Sequence, residues 1–282
     1  MRALAEFIMR GRTQAVAVSV LAVGTVFFAW IGAAAVALVT LRKGSTQGVY
    51  LLAWTLLPAA VIALQGSDLG PLTTLVGVYI AACALRAGGW PLALLAISAI
   101  GLVLALLMNT VAVAQSQQIA DMLAQLGEQL RASNPQMVIP ALNATDIAGM
   151  VGMINAWTVV LGLVLARWWQ AMLYNPGGFR SEFHSLRLPQ TLVVGLLLGV
   201  LLLVSSGQWA NWAMVLQVPL TVAGFALVHA LAARFGLGAG ALTVFYGLWA
   251  MLLPLRWLVQ LLAVTDSFID VRKRLPVRNS GE

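Results

Sequence analysis

The sequence predicts an all-α polytopic membrane helical bundle, and three observations carry that prediction. Of 282 residues, 61% are apolar and only 9% charged. The mean hydropathy is +0.93, outside the range of soluble domains. The apolar residues come in long runs, and the charged ones collect in the short segments between them. A bilayer core about 30 Å thick takes roughly 20 apolar residues per helix, and several runs approach or exceed that length. Residues 1–282 therefore read as a single integral membrane domain with no room for a sizeable soluble one.

The first run, Ala15 to Leu41, would be about 40 Å long as one helix. Arg2, Arg10 and Arg12 precede it as in a signal peptide, but the run is too long for a cleaved one and stops at Arg42-Lys43, so it is expected to be retained. It is either one tilted helix or two short ones broken between Gly24 and Gly32. Val49 to Leu64 follows, with Pro58 as a kink. Leu72 to Leu85 and Pro91 to Ala114 are separated by Arg86-Ala87-Gly88-Gly89. The sizeable polar insertion is Gln115 to Asp146. Its first half sets Ile119, Met122, Leu123, Leu126 and Leu130 at helical spacing against Asp121, Gln125, Glu128 and Gln129, which predicts an interfacial helix. Next come Ile147 to Ala166, then Gln190 to Val204 with Gly195-x-x-x-Gly199, a spacing that permits close helix contact. Trp209 to Ala233 and an overlong Leu237 to Val264, interrupted at Pro254 and Arg256, complete the runs. Residues 272–282 read as a basic tail whose last few residues are expected to be disordered.

Positive charge decides between readings of the overlong runs. Eight single spans leave no charge bias between the two faces. If the first and last runs each double back, 14 of the 16 lysines and arginines fall on one face and only Arg131 and Arg256 on the other. The expected topology is therefore eight to ten transmembrane or half-spanning helices, with both termini cytoplasmic and 115–146 extracytoplasmic. The net charge of +7 then serves orientation, and with no basic aromatic sheet motif nucleic acid is not an expected partner.

Aromatic and charged residues gather most densely from Ala166 to Pro189. Trp168, Trp169 and Tyr174 suit a helix end at the headgroups, with Arg167, Arg180 and Arg187 reaching water. Asn175-Pro176-Gly177-Gly178 predicts a turn, and Phe179, Phe183 and Leu186 share one face of a short amphipathic segment. Arg167-Trp168-Trp169-Gln170, Tyr174-Asn175-Pro176-Gly177-Gly178-Phe179-Arg180 with Glu182-Phe183, and Thr265-Asp266-Ser267 with Asp270 and Arg272 resemble the YybS-like family of bacterial membrane proteins, a domain of unknown function. That family is distantly similar to the substrate-binding S components of energy-coupling-factor vitamin transporters. The resemblance implies a helical fold in the bacterial inner membrane and brings no catalytic residues. Ala29, Ala33 and Ala37 repeat every fourth position and let another helix approach closely, either within the chain or from a partner; S components are similar in using an alanine stripe on the first helix to meet their coupling subunit.

No Walker A sequence, Gly-x-Ser-x-Gly elbow or His-Glu-x-x-His occurs, and no enzyme activity or cofactor is expected. The single cysteine, Cys83, excludes an internal disulfide, and His184 and His229 are too far apart in sequence to suggest a metal site. Polar groups inside apolar runs are costly and mark candidate ligand sites: Asn109, Asn155, Gln217, Arg256 and Gln260. Each also has a structural reading, namely interhelical hydrogen bonds for the asparagines and snorkelling for Arg256. His229 is expected to be solvated or capping, and Asp266 and Asp270 to pair with Arg272. Arg167, Trp168, Trp169, Gln170, Tyr174, Asn175, Pro176, Gly177, Gly178, Phe179, Arg180 and Glu182 form the expected partner-docking surface, or else an aromatic belt. The leading functional expectation is an S-component-like protein that binds a small solute or lipid-like ligand, borrows its energy, and contacts membrane lipid and a protein partner or a second copy. The alternative is a non-transporting scaffold or assembly factor.

Overall fold

The structure, a computed structural model, describes residues 1–25, 27–66 and 68–274, and the expected disorder at the end of the tail falls outside them. The described residues are all-α, with no strand. The helices are α1 (Arg2–Arg10), α2 (Arg12–Gly24), α3 (Ala29–Lys43), α4 (Ser45–Gly66), α5 (Gly70–Thr110), α6 (Val113–Ser133), α7 (Ala144–Tyr174), α8 (Gly178–Ser185), α9 (Gln190–Ser205), α10 (Ala213–Arg234), α11 (Ala239–Met251), α12 (Leu253–Ile269) and the short α13 (Val271–Arg274). Four helices, α4, α5, α7 and α10 with its leading 3-10 turn, are long and apolar enough to cross a membrane. The bent pairs α8–α9 and α11–α12 raise that to as many as six.

The first apolar run is broken. α2 ends at Gly24, and Thr25 turns its hydroxyl back onto the Ala22 carbonyl at 2.7 Å. α3 then packs on α2 so closely that a Cβ at Gly32 would lie 2.7 Å from a Val23 methyl. With 13 residues α2 is about 20 Å long, short of a full crossing.

α5 also doubles back. Gly88 and Gly89 leave helical geometry, Gly89 at φ 70°, a conformation that a side chain disfavours. A Cβ on Gly77 would sit 3.1 Å from a methyl of Ile100, 23 positions away, which an unbroken helix would separate by roughly 35 Å. Arms 70–87 and 90–110 are therefore the two sides of a helical hairpin, as the Arg86-Ala87-Gly88-Gly89 break predicts.

α7 is the post around which the rest packs. A capping box starts it: Asn143 Oδ1 accepts from the Asp146 amide, and Asp146 Oδ2 from the Asn143 amide, both at 3.0 Å. Arm 90–110 crosses it at Gly101 and Gly152, where a Cβ on Gly152 would meet the Gly101 carbonyl at 2.5 Å. α3 lies along it near Gly162, where an added Cβ would lie 3.8 Å from the Ala33 methyl. Ala33 and Ala37 are fully buried and Ala29 half-buried, so the alanine stripe meets helices of the same chain, the first of its two expected uses. The Gly195-x-x-x-Gly199 spacing is used on one side only: Gly199 faces Leu216 of α10, and Gly195 faces open space.

α11 buries no residue, and α12 turns away from it by 114° at Leu252. This is the predicted interruption, two residues ahead of Pro254.

Replacing Gly152 by leucine is expected to destabilise the bundle by about 1–3 kcal/mol through overpacking. Gly195→Leu should stay within about 0.5 kcal/mol, as measured by thermal unfolding of the two purified variants in detergent.

Candidate functional site

Three of the five candidate ligand residues converge. Gln217 of α10 with Arg256 and Gln260 of α12 line a cavity of about 400 Å³ between α7, α10 and the α11–α12 elbow, walled by Met153, Trp157, Met214, Thr221, Trp249 and Trp257. Gln260 Nε2 donates to Thr221 Oγ1 at 3.2 Å and, more weakly, to Gln217 Oε1 at 3.4 Å. The rings of Trp157, Phe225 and Trp249 stack at 5.0–6.3 Å and attach α11 to the bundle.

Arg256 does more than mark a membrane boundary. Its Nε and Nη2 donate to the Trp249 and Ala250 carbonyls at 3.2 and 2.6 Å, and its guanidinium lies 5.5 Å from the Trp249 ring centroid. A helix that stops inside an apolar run leaves carbonyls with no intrahelical partner. The cation fills that need and offsets the negative end of α11.

The other two candidates lie elsewhere. Asn155 is buried on α7, where its amide nitrogen bonds Thr74 Oγ1 at 2.7 Å and Thr73 Oγ1 at 3.2 Å, stapling α7 to the start of α5. Asn109 sits half-buried in the last turn of α5, away from the cavity. Two larger grooves, of about 670 and 740 Å³, lie beside α6 and beside Trp30, Trp168 and Phe179. Neither includes a charged side chain among its lining, so neither combines charge, amides and aromatic walls as the smaller cavity does.

The Ala166 to Pro189 stretch is spent inside the protein only in part. Arg167 pairs with Glu182 at 2.5 Å, and Trp90, at the α5 elbow, donates its indole N–H to the same carboxylate at 2.7 Å. Trp169 is fully buried. Gln170 donates to the Leu41 carbonyl at 3.3 Å, and Tyr174 stacks under Arg42 at 4.0 Å. Asn175, Pro176 and Gly177, the last at φ 83°, make the predicted turn, and Gly178 begins α8. Phe179 packs between Trp90 and Phe183. Trp168, Tyr174, Asn175, Pro176, Gly177 and Arg180 remain exposed.

Further ties join the same end. Arg187 bonds Asp270 at 2.8 Å and the Ser267 carbonyl at 2.9 Å. Arg272 bonds Asp266 at 3.2 Å, the Leu186 carbonyl at 2.6 Å and the His184 carbonyl. Of the expected pairs, Asp266 therefore meets Arg272, while Asp270 meets Arg187 and Lys273. His229 bonds Tyr246 Oη at 2.8 Å across to α11, an interhelical tie that its sequence position does not suggest. At the opposite end Asn211 donates to Asp146 at 2.8 Å and Trp212 to the Thr145 carbonyl at 2.9 Å.

Sequence reasoning missed the tryptophans, because in an apolar run an aromatic residue is indistinguishable from lipid-facing bulk. Trp90 as partner of Glu182, and Trp157 and Trp249 as cavity walls, come from helices far apart in the chain. Among the described residues no group of three or more metal-ligating side chains gathers. No family model matches the sequence, and neither a curated protein nor a solved structure matches it.

Glu182→Ala leaves Arg167 and the Trp90 N–H without their acceptor and should cost about 1–3 kcal/mol. Arg180→Ala, at an exposed position, should change stability by less than about 0.5 kcal/mol, and chemical denaturation in detergent compares the two. Burial holds the His184 pKa below its usual value, and Arg180, His229 and Arg272 push the same way. The unfolded chain then binds this proton first, so the contribution is present above about pH 6.5 and is lost as pH falls towards the lowered folded value. His184→Gln should flatten the stability profile below pH 6.5 relative to the unsubstituted protein.

Proposed function

We propose that this protein is a bacterial inner-membrane protein that binds a small, lipid-like solute in the cavity between α7, α10 and the α11–α12 elbow. The observation that supports this reading is the meeting of Gln217, Arg256 and Gln260 with Trp157, Trp249 and Trp257 around one space of about 400 Å³. Ligand sites of this kind combine apolar walls with a few convergent polar groups. Broken helices at membrane depth recur where a solute is held, because their ends supply polar groups that an intact helix hides. The exposed Leu252, Leu253 and Trp257 open the elbow sideways, so the ligand reaches the cavity from the bilayer.

In the proposed topology the basic end, with Arg42, Arg167, Arg187, Arg234 and Arg272, faces the cytosol together with both termini. α6 then lies on the outer surface. Counting the α2–α3 hairpin as two half-spans, the two arms of α5 and each helix of the α11–α12 pair gives ten spanning or half-spanning elements. The YybS-like, S-component-like reading fits as a transport protein that borrows its energy, with no ATPase of its own. Because the alanine face is already covered, a protein partner would meet the exposed apolar sides of α9 or α11 instead.

Native mass spectrometry of gently extracted protein should find a retained small molecule that is lost on Gln260→Leu or Trp157→Ala. An empty cavity in the unsubstituted protein would overturn the reading. In a Cys83→Ser background, Asn143→Cys should react with an impermeant thiol reagent on intact cells and Asn175→Cys should not; the reverse result would invert the topology.

A further inference from the structure

We infer that the ligand's head is an anion, a carboxylate or a phosphate, bound by Arg256, Trp249 and Gln217. This rests on the cavity being a ligand site, and it follows from which hydrogen-bonding groups there are already spent. Arg256 uses two of its N–H groups on the Trp249 and Ala250 carbonyls, and a guanidinium has five. Three therefore remain. The Trp249 indole N–H is buried without an acceptor, a state that costs about as much as a lost hydrogen bond unless something binds there. Gln217 accepts from Gln260 through Oε1, which leaves its amide N–H groups unused. Thr221 gives its hydroxyl proton to the Gln217 carbonyl at 3.0 Å.

The unused acceptors amount to little beyond Gln260 Oε1. Among the described residues no aspartate or glutamate lines the cavity, so it has an excess of donors and a guanidinium with no acidic partner. Helix fields do not reverse this balance, because the negative end of α11 and the positive start of α12 meet at the same elbow and offset each other. Trp157 and Trp249, 6.3 Å apart, are the kind of ring pair that cages a quaternary ammonium, but Arg256 on the same wall repels a cation. A head with two or more acceptor oxygens satisfies the fork of Arg256 and the indole N–H together, while an apolar tail leaves between Leu252 and Leu253 towards the lipid.

The test uses the full-length protein in phosphatidylcholine nanodiscs, titrated with dodecanoate, dodecyl phosphate, dodecanol and dodecylammonium, with bound probe counted by native mass spectrometry. At least one anionic probe should bind about tenfold or more tightly than the alcohol and the ammonium, and the ratio between carboxylate and phosphate identifies the head. Trp249→Phe, which removes the orphaned donor together with one ring of the indole, should weaken the anion about tenfold more than it weakens the alcohol. Arg256→Gln should abolish the preference for anions. Since it also uncaps α11, Arg256→Lys is the companion variant: it keeps the charge, loses the fork, and should retain a reduced preference. Equal binding of alcohol or ammonium and anion, or an anion preference untouched by Trp249→Phe and Arg256→Lys, would overturn the anionic head while leaving the cavity as a ligand site. Failure of all four probes to bind would overturn both.

Discussion

The architecture depends on how closely helices can approach α7. In lipid no hydrophobic force drives one apolar helix onto another, so association relies on dispersion and on backbone contact at small residues. Gly152 against Gly101 and Gly162 against Ala33 supply that contact on two sides, and Asn155 adds a polar staple to the first turns of α5. α7 can therefore carry the α5 hairpin, the α2–α3 hairpin and α10 at once. The peripheral α9 has one such contact, Gly199 against Leu216, and α11 has none, so both stay on the outside of the bundle.

A second constraint is that peptide groups within a membrane need hydrogen-bond partners even where a helix stops. The chain meets it in different ways at its breaks. Thr25 returns its hydroxyl to the preceding turn, the α5 elbow bends through Gly88 and Gly89, and Arg256 donates to the last carbonyls of α11. The first two remain structural, since neither introduces a charge. The third places a guanidinium with donors to spare beside three tryptophans, so satisfying the backbone also creates a potential recognition site.

At the other end of the bundle, charge serves cohesion. Glu182 is held by Arg167 and Trp90, Asp266 by Arg272, and Asp270 by Arg187 and Lys273. These contacts join α5, α7, α8, α12 and the start of the tail. Arg167, Trp169 and Arg187 are thus explained by internal contacts, while Trp168, Arg180 and the exposed turn of Tyr174, Asn175, Pro176 and Gly177 are left for the surroundings.

The sequence by itself determined the solvent, the helical class and the places where helices break. Long apolar runs suit a bilayer, and Gly24, Gly88-Gly89 and Pro254 mark backbone where a helix is weakened or begins anew. It also identified Gln217, Arg256 and Gln260 as polar groups in need of an explanation, because a polar residue in an apolar run stands out locally. Only the tertiary structure decided that these three meet each other and Asn155 and Asn109 do not, that the alanine face turns inward, and that Trp90 belongs to Glu182. Those outcomes depend on pairings across 40 to 90 positions, and hydropathy is nearly constant around each of these helices. With no polar face to orient them, rotation and neighbour are set by where a glycine lets two backbones touch, which is a property of the assembled bundle.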